Sequence, residues 1–213
     1  MERISATTSV ETTRPNAAKS QCSSSCLPAR KPLLRVATLA LFCLVLVVVP
    51  ATGQVLYENG PVDGITDAWA INFGYAVTNS IQVHGTIQGL EFWVWLFPGD
   101  PPPSSVQVTI SQPSSVRPGH SRVLFDGIVS LTQGGCFTNI FDQQVCQESA
   151  RFDGPTLNGI AWLTLQNAII PSGNPVYWDQ NSGVSCQSPG CPSRAYENTV
   201  GTIPSETFTI FGR

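Results

Sequence analysis

Hydrophobic and polar residues alternate over short stretches of this chain, and glycine or proline interrupts the pattern every few residues. After Gln54 no stretch keeps an apolar period of about 3.6 residues, so the pattern predicts strands rather than helices. Ten strands are predicted, at 55–57, 68–72, 76–83, 86–97, 105–111, 122–131, 145–152, 159–166, 176–179 and 206–211. Strands with turn signals between them predict an all-β fold, a two-sheet antiparallel β-sandwich that is jelly-roll-like. A barrel is the nearest alternative.

The stretch 90–110, LEFWVWLFPGDPPPSSVQVTI, has the strongest pattern and is predicted to form a central hairpin. Its second arm alternates Val106, Val108 and Ile110 with polar residues, as expected for a strand with one buried face. The first arm is apolar on both faces: Leu90, Phe92, Val94 and Leu96 on one, Glu91, Trp93, Trp95 and Phe97 on the other. Only one of these faces can enter the same core. We therefore expect the other face to be covered by a second segment or to bind a ligand.

The amino-terminal quarter of the chain resembles an export signal. Residues 1–29 are rich in Ser, Thr and Ala and are predicted to be a disordered extension. In residues 30–53 three basic residues precede the uncharged apolar run 36–49, and small residues follow, which predicts a helical signal peptide cleaved before Gln54. The alternative is an uncleaved anchor, because the 17 residues of 33–49 lie at the lower limit for crossing a bilayer. Membrane contact is expected only through this segment, and residues 54–213 form the β-sandwich domain.

The charge of the predicted domain excludes one class of partner. Residues 54–213 contain five arginines, no lysine and twelve acidic residues, a net charge of −7. Such a surface cannot neutralise phosphates, so we expect no binding to nucleic acid or to anionic lipid.

Four of the seven cysteines lie in the predicted domain, and their number and spacing predict two local disulfides. Cys136 would pair with Cys146 and Cys186 with Cys191, because nearest-neighbour pairing closes the shortest loops in an exported chain. A four-thiolate zinc site is the alternative, but the sequence lacks a C-x2-C pair. We expect no metal and no cofactor.

The residue types on the second face of the first arm suggest carbohydrate binding. Glu91, Trp93 and Trp95, together with Trp162 and Trp178, could form an aromatic platform on which sugar rings stack while a carboxylate accepts hydroxyl protons. The alternative for the same residues is a small jelly-roll glycoside hydrolase, which needs two carboxylates across a cleft. Glu148, Asp153 and Asp179 are the candidates for the second carboxylate, but no catalytic spacing identifies one. No catalytic residue is therefore assigned.

Four stretches resemble the ectodomain of a group of uncharacterised exported bacterial proteins, many of which carry a PEP-CTERM sorting tail for exosortase processing. These stretches are VLYENGPVDGITDAWAINFGYAVTNS, GLEFWVWLFPGD, AWLTLQNAIIPSGNPVYWDQNSG and TIPSETFTIFG. The resemblance covers residues 54–212 and implies a domain family rather than an activity. After Phe211 only Gly212 and Arg213 follow, so we expect no tail-dependent sorting.

Together these features predict a secreted or cell-surface β-sandwich module that is not an enzyme. Extracellular polysaccharide or matrix is the expected partner, and a purely structural surface role is the remaining alternative. The sequence does not indicate an oligomeric state.

Overall fold

The computed structural model describes residues 53–113 and 121–213. Within these ranges the fold is all-β, every strand pairs antiparallel, and no helix occurs. The twelve strands are β1 Gln54–Glu58, β2 Ala68–Ala70, β3 Ala76–Leu96, β4 Ser105–Pro113, β5 Ser121–Ser130, β6 Thr132–Thr138, β7 Gln144–Arg151, β8 Thr156–Ile169, β9 Tyr177–Asp179, β10 Ala195–Glu197, β11 Gly201–Ile203 and β12 Phe208–Gly212. The predicted extension 1–29 and signal segment 30–53 lie, apart from Gly53, outside the described residues.

In the described ranges no helix has the length and apolarity needed to cross a bilayer.

Strand β3 is 21 residues long and joins two branches of the sheet. Its first half pairs with β8 and β10, and β4, β5 and β11 extend this β8 branch. Its second half pairs with β12, β7 and β9, and β1, β2 and β6 extend this β12 branch. At the transition, Gly85 has φ +145°, and a Cβ there would lie 2.7 Å from the carbonyl oxygen of Arg213. Glycine therefore permits a single strand to pass from one branch to the other.

The predicted central hairpin at 90–110 is wrong. β3 and β4 are not paired, because β8 lies between them in the sheet order. The second half of β3 belongs to the β12 branch, whereas β4 pairs with β5 and β8. The intervening residues include four prolines, which have no backbone N–H to donate to a ladder. This segment is a connection between the branches rather than a tight turn.

Side chains from both branches share one hydrophobic core. Leu90, Phe92, Val94 and Leu96 are buried together with Val106, Val108 and Ile110, as their alternation predicts. Phe125 of β5 stacks on Phe152, which follows β7, with ring centroids 4.8 Å apart. The two branches therefore pack on each other through apolar side chains.

The region 181–204 contains two short strands that the alternation of polar and apolar residues does not predict. β10 adds to the edge of β3, and β11 pairs with β10. Asn181, Ser193 and Ile203 are buried, so part of the region is packed into the domain. The sequence does not indicate these two three-residue strands, because the many glycine, proline and serine residues interrupt the alternation of polar and apolar positions.

Candidate functional site

The expected aromatic face of β3 is covered rather than open. Trp95 is only 9% exposed, and its Nε1 donates a hydrogen bond to Oδ1 of Asp179 at 2.5 Å. Its ring also contacts Phe141, with centroids 5.8 Å apart. Trp93 is partly exposed and packs against Phe137 at 5.9 Å. The expectation that another segment covers this face is therefore confirmed for Trp95.

The connection between β1 and β2 is hydrogen-bonded to the same carboxylate that accepts from Trp95. The backbone N–H groups of Asp63 and Gly64 donate to the carboxylate of Asp179 at 3.0 and 2.9 Å. Gly64 has φ +69°, and a Cβ there would lie 2.8 Å from the Phe137 ring. The positive φ favours glycine at this position, and the nearby Phe137 ring, which packs on Trp93, places the connection beside the outer side of β3.

Trp178 is part of the core and is inaccessible to a ligand. It is fully buried, with edge-to-face contacts to Phe92 at 6.0 Å and Phe208 at 5.5 Å. Its indole Nε1 donates to the carbonyl oxygen of Thr207 at 2.9 Å, which satisfies its only donor. The carboxylate of Glu91, on the outer side of β3, accepts a hydrogen bond from Gln147 Nε2. The five residues of the expected platform are thus not brought together.

Trp162 lies on the opposite branch, on an outward face that carries mostly polar side chains. In the strand register it is flanked by Ser80 of β3 and Ser111 of β4. The adjacent row of the same face consists of Thr78, Thr164 and Thr109, and the hydroxyl oxygens of Thr78 and Thr164 are 2.8 Å apart. A partly exposed indole is therefore surrounded by groups that both donate and accept hydrogen bonds.

A groove of about 360 Å³ runs beside Trp162. We call it the Trp162 groove; it is lined by Trp162, Ser80, Gln82, Ile160, Pro192 and Arg194, among others. The Tyr196 ring contacts the indole edge-to-face, with centroids 6.0 Å apart. The groove combines an aromatic surface, an amide, a hydroxyl and a cation.

One wall of the Trp162 groove is formed by the region that contains Cys186 and Cys191. These two cysteines lie at disulfide distance, with Cα atoms 5.8 Å apart, and Gly190 between them lines the groove. Cys136 and Cys146 also lie at disulfide distance, on the paired strands β6 and β7. Both pairs match the prediction made from cysteine spacing. The cross-link between Cys186 and Cys191, beside the groove, limits the conformational freedom of the groove wall.

Sequence reasoning missed Ser80, Gln82 and Arg194 as groove residues. Ser80 and Gln82 alternate with buried residues on β3, so their outward direction could have been predicted from the alternation. Arg194 could not, because it precedes the three-residue strand β10 in a region with no periodic pattern.

Three carboxyl groups of the described domain are fully buried and have raised pKa values. Burial raises the pKa of Glu206 to about 8, that of Glu148 to about 7 and that of Asp179 to about 6. Glu148 is the register partner of Phe92 and so lies on the core face of the β12 branch, whereas Asp179 bonds to Trp95 on the outer face. These two carboxylates therefore cannot flank one glycosidic bond.

Glu206 belongs to a buried polar cluster with Asn59, Asn79 and Ser193. Asn79 Nδ2 donates to Glu206 Oε2 at 2.5 Å, and Ser193 Oγ donates to Asn79 Oδ1 at 2.6 Å. Asn59 Nδ2 donates to Ser193 Oγ at 2.9 Å and to the backbone oxygen of Glu206 at 2.6 Å. Glu206 Oε1 has no hydrogen-bond partner within the described residues. The cluster joins four separate segments of the chain, which indicates a structural role.

Within residues 53–113 and 121–213, no group of three or more His, Cys, Asp or Glu side chains could hold a metal ion. The Nδ1 atom of His84 lies 2.6 Å from Asn158 Oδ1, which is a pairing across β3 and β8.

No family model, curated protein or solved structure matches this chain. The resemblance to exported bacterial proteins therefore stays a prediction, and the interpretation of the site depends on its own geometry.

Proposed function

We propose that residues 54–213 form an exported, non-catalytic module that binds extracellular polysaccharide in the Trp162 groove. The observation that carries this proposal is a partly exposed indole, in contact with Tyr196, beside Ser80, Gln82 and Arg194. Aromatic side chains combine a large apolar surface with a specific ring geometry, and the C–H face of a sugar ring stacks on such a surface. A few convergent polar groups then fix the orientation of the ligand.

A two-sheet, jelly-roll-like β-sandwich is the architecture that we propose for the two branches. The continuous core and the stacking of Phe125 on Phe152 support this arrangement, because they need the apolar faces of the branches to be opposed. The Trp162 groove would then lie on the outer surface of one sheet.

Export is proposed from three independent features. The two cysteine pairs at disulfide distance suit an oxidising compartment. The acidic, lysine-free composition of 54–213 suits a domain that does not bind nucleic acid, and the segment 30–53 has the order of a signal peptide. These features together support secretion or attachment to the cell surface.

A binding role is favoured over hydrolysis by the composition of the groove. Among the described residues, none that lines the Trp162 groove is an aspartate or a glutamate. Glycosidases generally need a pair of carboxyl groups beside the scissile bond, one of them positioned as an acid. The groove can therefore hold a sugar but lacks the groups that would cleave it.

Binding of the purified protein to insoluble and soluble polysaccharides tests this proposal. We expect Trp162→Ala to remove retention while changing the free energy of unfolding by only about 1 kcal/mol, because the ring is partly exposed. Trp93→Ala is the matched control, since Trp93 is a partly exposed tryptophan on the other branch, and it should retain binding. If Trp162→Ala binds as well as the wild type, or if no polysaccharide is retained at all, the proposal is wrong.

An assay for released reducing ends, run on the same panel, distinguishes binding from hydrolysis. We expect no release by the wild type. Turnover that disappears in Glu91→Gln would establish the hydrolase alternative instead.

A further inference from the structure

Arg194 is the only cationic side chain that lines the Trp162 groove among the described residues, and its backbone is hydrogen-bonded to Ser80. Its backbone N–H donates to Ser80 Oγ at 2.9 Å, and its carbonyl oxygen accepts from the Ser80 N–H at 2.9 Å. Ser80 is in turn the register partner of Trp162. These contacts fix the start of the Arg194 side chain two strands from the indole, with β3 between them.

The acidic residues of the domain lie outside the groove that contains Arg194. The domain 54–213 carries a net charge of −7, yet no described carboxylate lines this groove. Asp126, the acidic residue on the same sheet face, lies two strands from Trp162 on β5 and accepts hydrogen bonds from Gln107 and Thr109. The groove is therefore a local site for a negative group on a domain that otherwise repels anions.

We infer that the ligand of the Trp162 groove is an acidic polysaccharide of the uronic acid type, with a sugar ring on Trp162 and its carboxylate on Arg194. This inference rests on the proposed function and adds the chemical class of the ligand. The guanidinium is planar and presents parallel N–H donors that match a carboxylate in a bidentate pair. Gln82 supplies an amide that can donate to one hydroxyl and accept from another.

A single arginine favours a carboxylated polymer over a highly sulfated one. The strength of polyanion binding rises with the number of cations that contact it, and here one cation lies in the groove. A polymer with several sulfates per repeat would bring further negative charge against the acidic remainder of the domain. We therefore expect the domain to select polysaccharides by the position of one carboxylate rather than by their overall charge.

Calorimetric titration with polygalacturonate and with its carboxyl-reduced, neutral counterpart tests this inference directly. The two polymers share ring stereochemistry and differ in the carboxylate, so their comparison isolates the contribution of the charge. We expect the wild type to bind polygalacturonate at least about tenfold more tightly, since hydrogen bonds to charged groups are the stronger class. Dextran sulfate, a more highly charged polymer, should bind more weakly than polygalacturonate.

Arg194→Gln should remove this preference, reducing affinity for polygalacturonate at least about tenfold and leaving affinity for the neutral polymer unchanged. Arg151→Gln is the matched control, because Arg151 is an exposed arginine that lies outside the groove. Equal affinity of the wild type for both polymers, or equal losses in the two arginine variants, would overturn the inference. In that case binding that still depends on Trp162 leaves the proposed function intact, whereas absence of any binding refutes both.

Discussion

Replacing Glu206 with glutamine tests whether a neutral carboxyl group lies in the buried polar cluster. The side chain is fully buried and accepts a hydrogen bond from Asn79, while Oε1 has no partner among the described residues. Burial raises its pKa from 4.5 to about 8. At pH 7 the group is therefore protonated in the folded protein and ionised in the unfolded chain.

The size of the effect follows from proton linkage. Above pH 4.5 the unfolded chain releases the Glu206 proton, but the folded protein keeps it until about pH 8. The free energy of unfolding therefore falls as the pH rises through this window, by about 1.4 kcal/mol per unit at most. Between pH 5 and pH 7 the loss from this group alone is about 2–3 kcal/mol.

Glutamine has no proton to exchange, so Glu206→Gln removes this part of the pH dependence. Its amide nitrogen would lie at the unpartnered oxygen position and cost about 1–3 kcal/mol at every pH. We expect the variant to be less stable than the wild type at pH 5 and to reach or exceed it at pH 7. Glu148 and Asp179 also have raised pKa values, and their contributions cancel because both proteins contain them.

Urea unfolding at pH 5, 6 and 7, followed by tryptophan fluorescence, measures the difference directly. Glu58→Gln is the control for the substitution itself, because Glu58 is a partly exposed glutamate of β1 outside the buried polar cluster. If the wild type and Glu206→Gln lose stability in parallel over this range, Glu206 is not held in its neutral form and the reasoning fails.

Three further predictions concern the covered face, the cysteines and the export signal. Trp95→Ala should lower the free energy of unfolding by about 3–5 kcal/mol because the ring is buried, and Trp93→Ala by clearly less; equal stability of both variants and the wild type would contradict this. Mapping of unreduced peptides should show Cys136 joined to Cys146, and replacing both with serine should cost about 2–3 kcal/mol. Mass spectrometry of protein from the culture medium should find a chain that begins at Gln54, whereas a chain that starts at residue 1 would indicate an anchor.

The sequence predicts strands well where alternation is regular. β4 and β8 begin and end close to the predicted positions, and the core face of β3 is the one that its alternation indicates. Strand partners are not predicted, because a period of two identifies faces but carries no information on the neighbouring strand. For this reason the alternation predicts a hairpin from the apolar arms around the proline segment, although their partners lie in different branches.

The sequence also does not predict which candidate side chains of the site are buried and which are accessible. Trp162 was a candidate and lies in the groove, but Trp178 lies in a three-residue strand where alternation cannot tell the core side from the outer side. The burial of Glu206 has no local signal, since its partners Asn59, Asn79 and Ser193 are distant in sequence. Long-range contacts, rather than local pattern, decide which polar residues are buried.

The position of β12 has a consequence for the order of folding. The last strand of the domain lies between the first strand, β1, and the central strand β3. During synthesis, therefore, β1 has no neighbour and one edge of β3 stays open until residues 208–212 have left the ribosome. Folds that depend on such distant pairings form slowly, because the chain must close long loops before these contacts form. A polypeptide interrupted before Phe208 would present an unpaired edge to other chains, and we expect it to aggregate rather than to persist as a smaller domain.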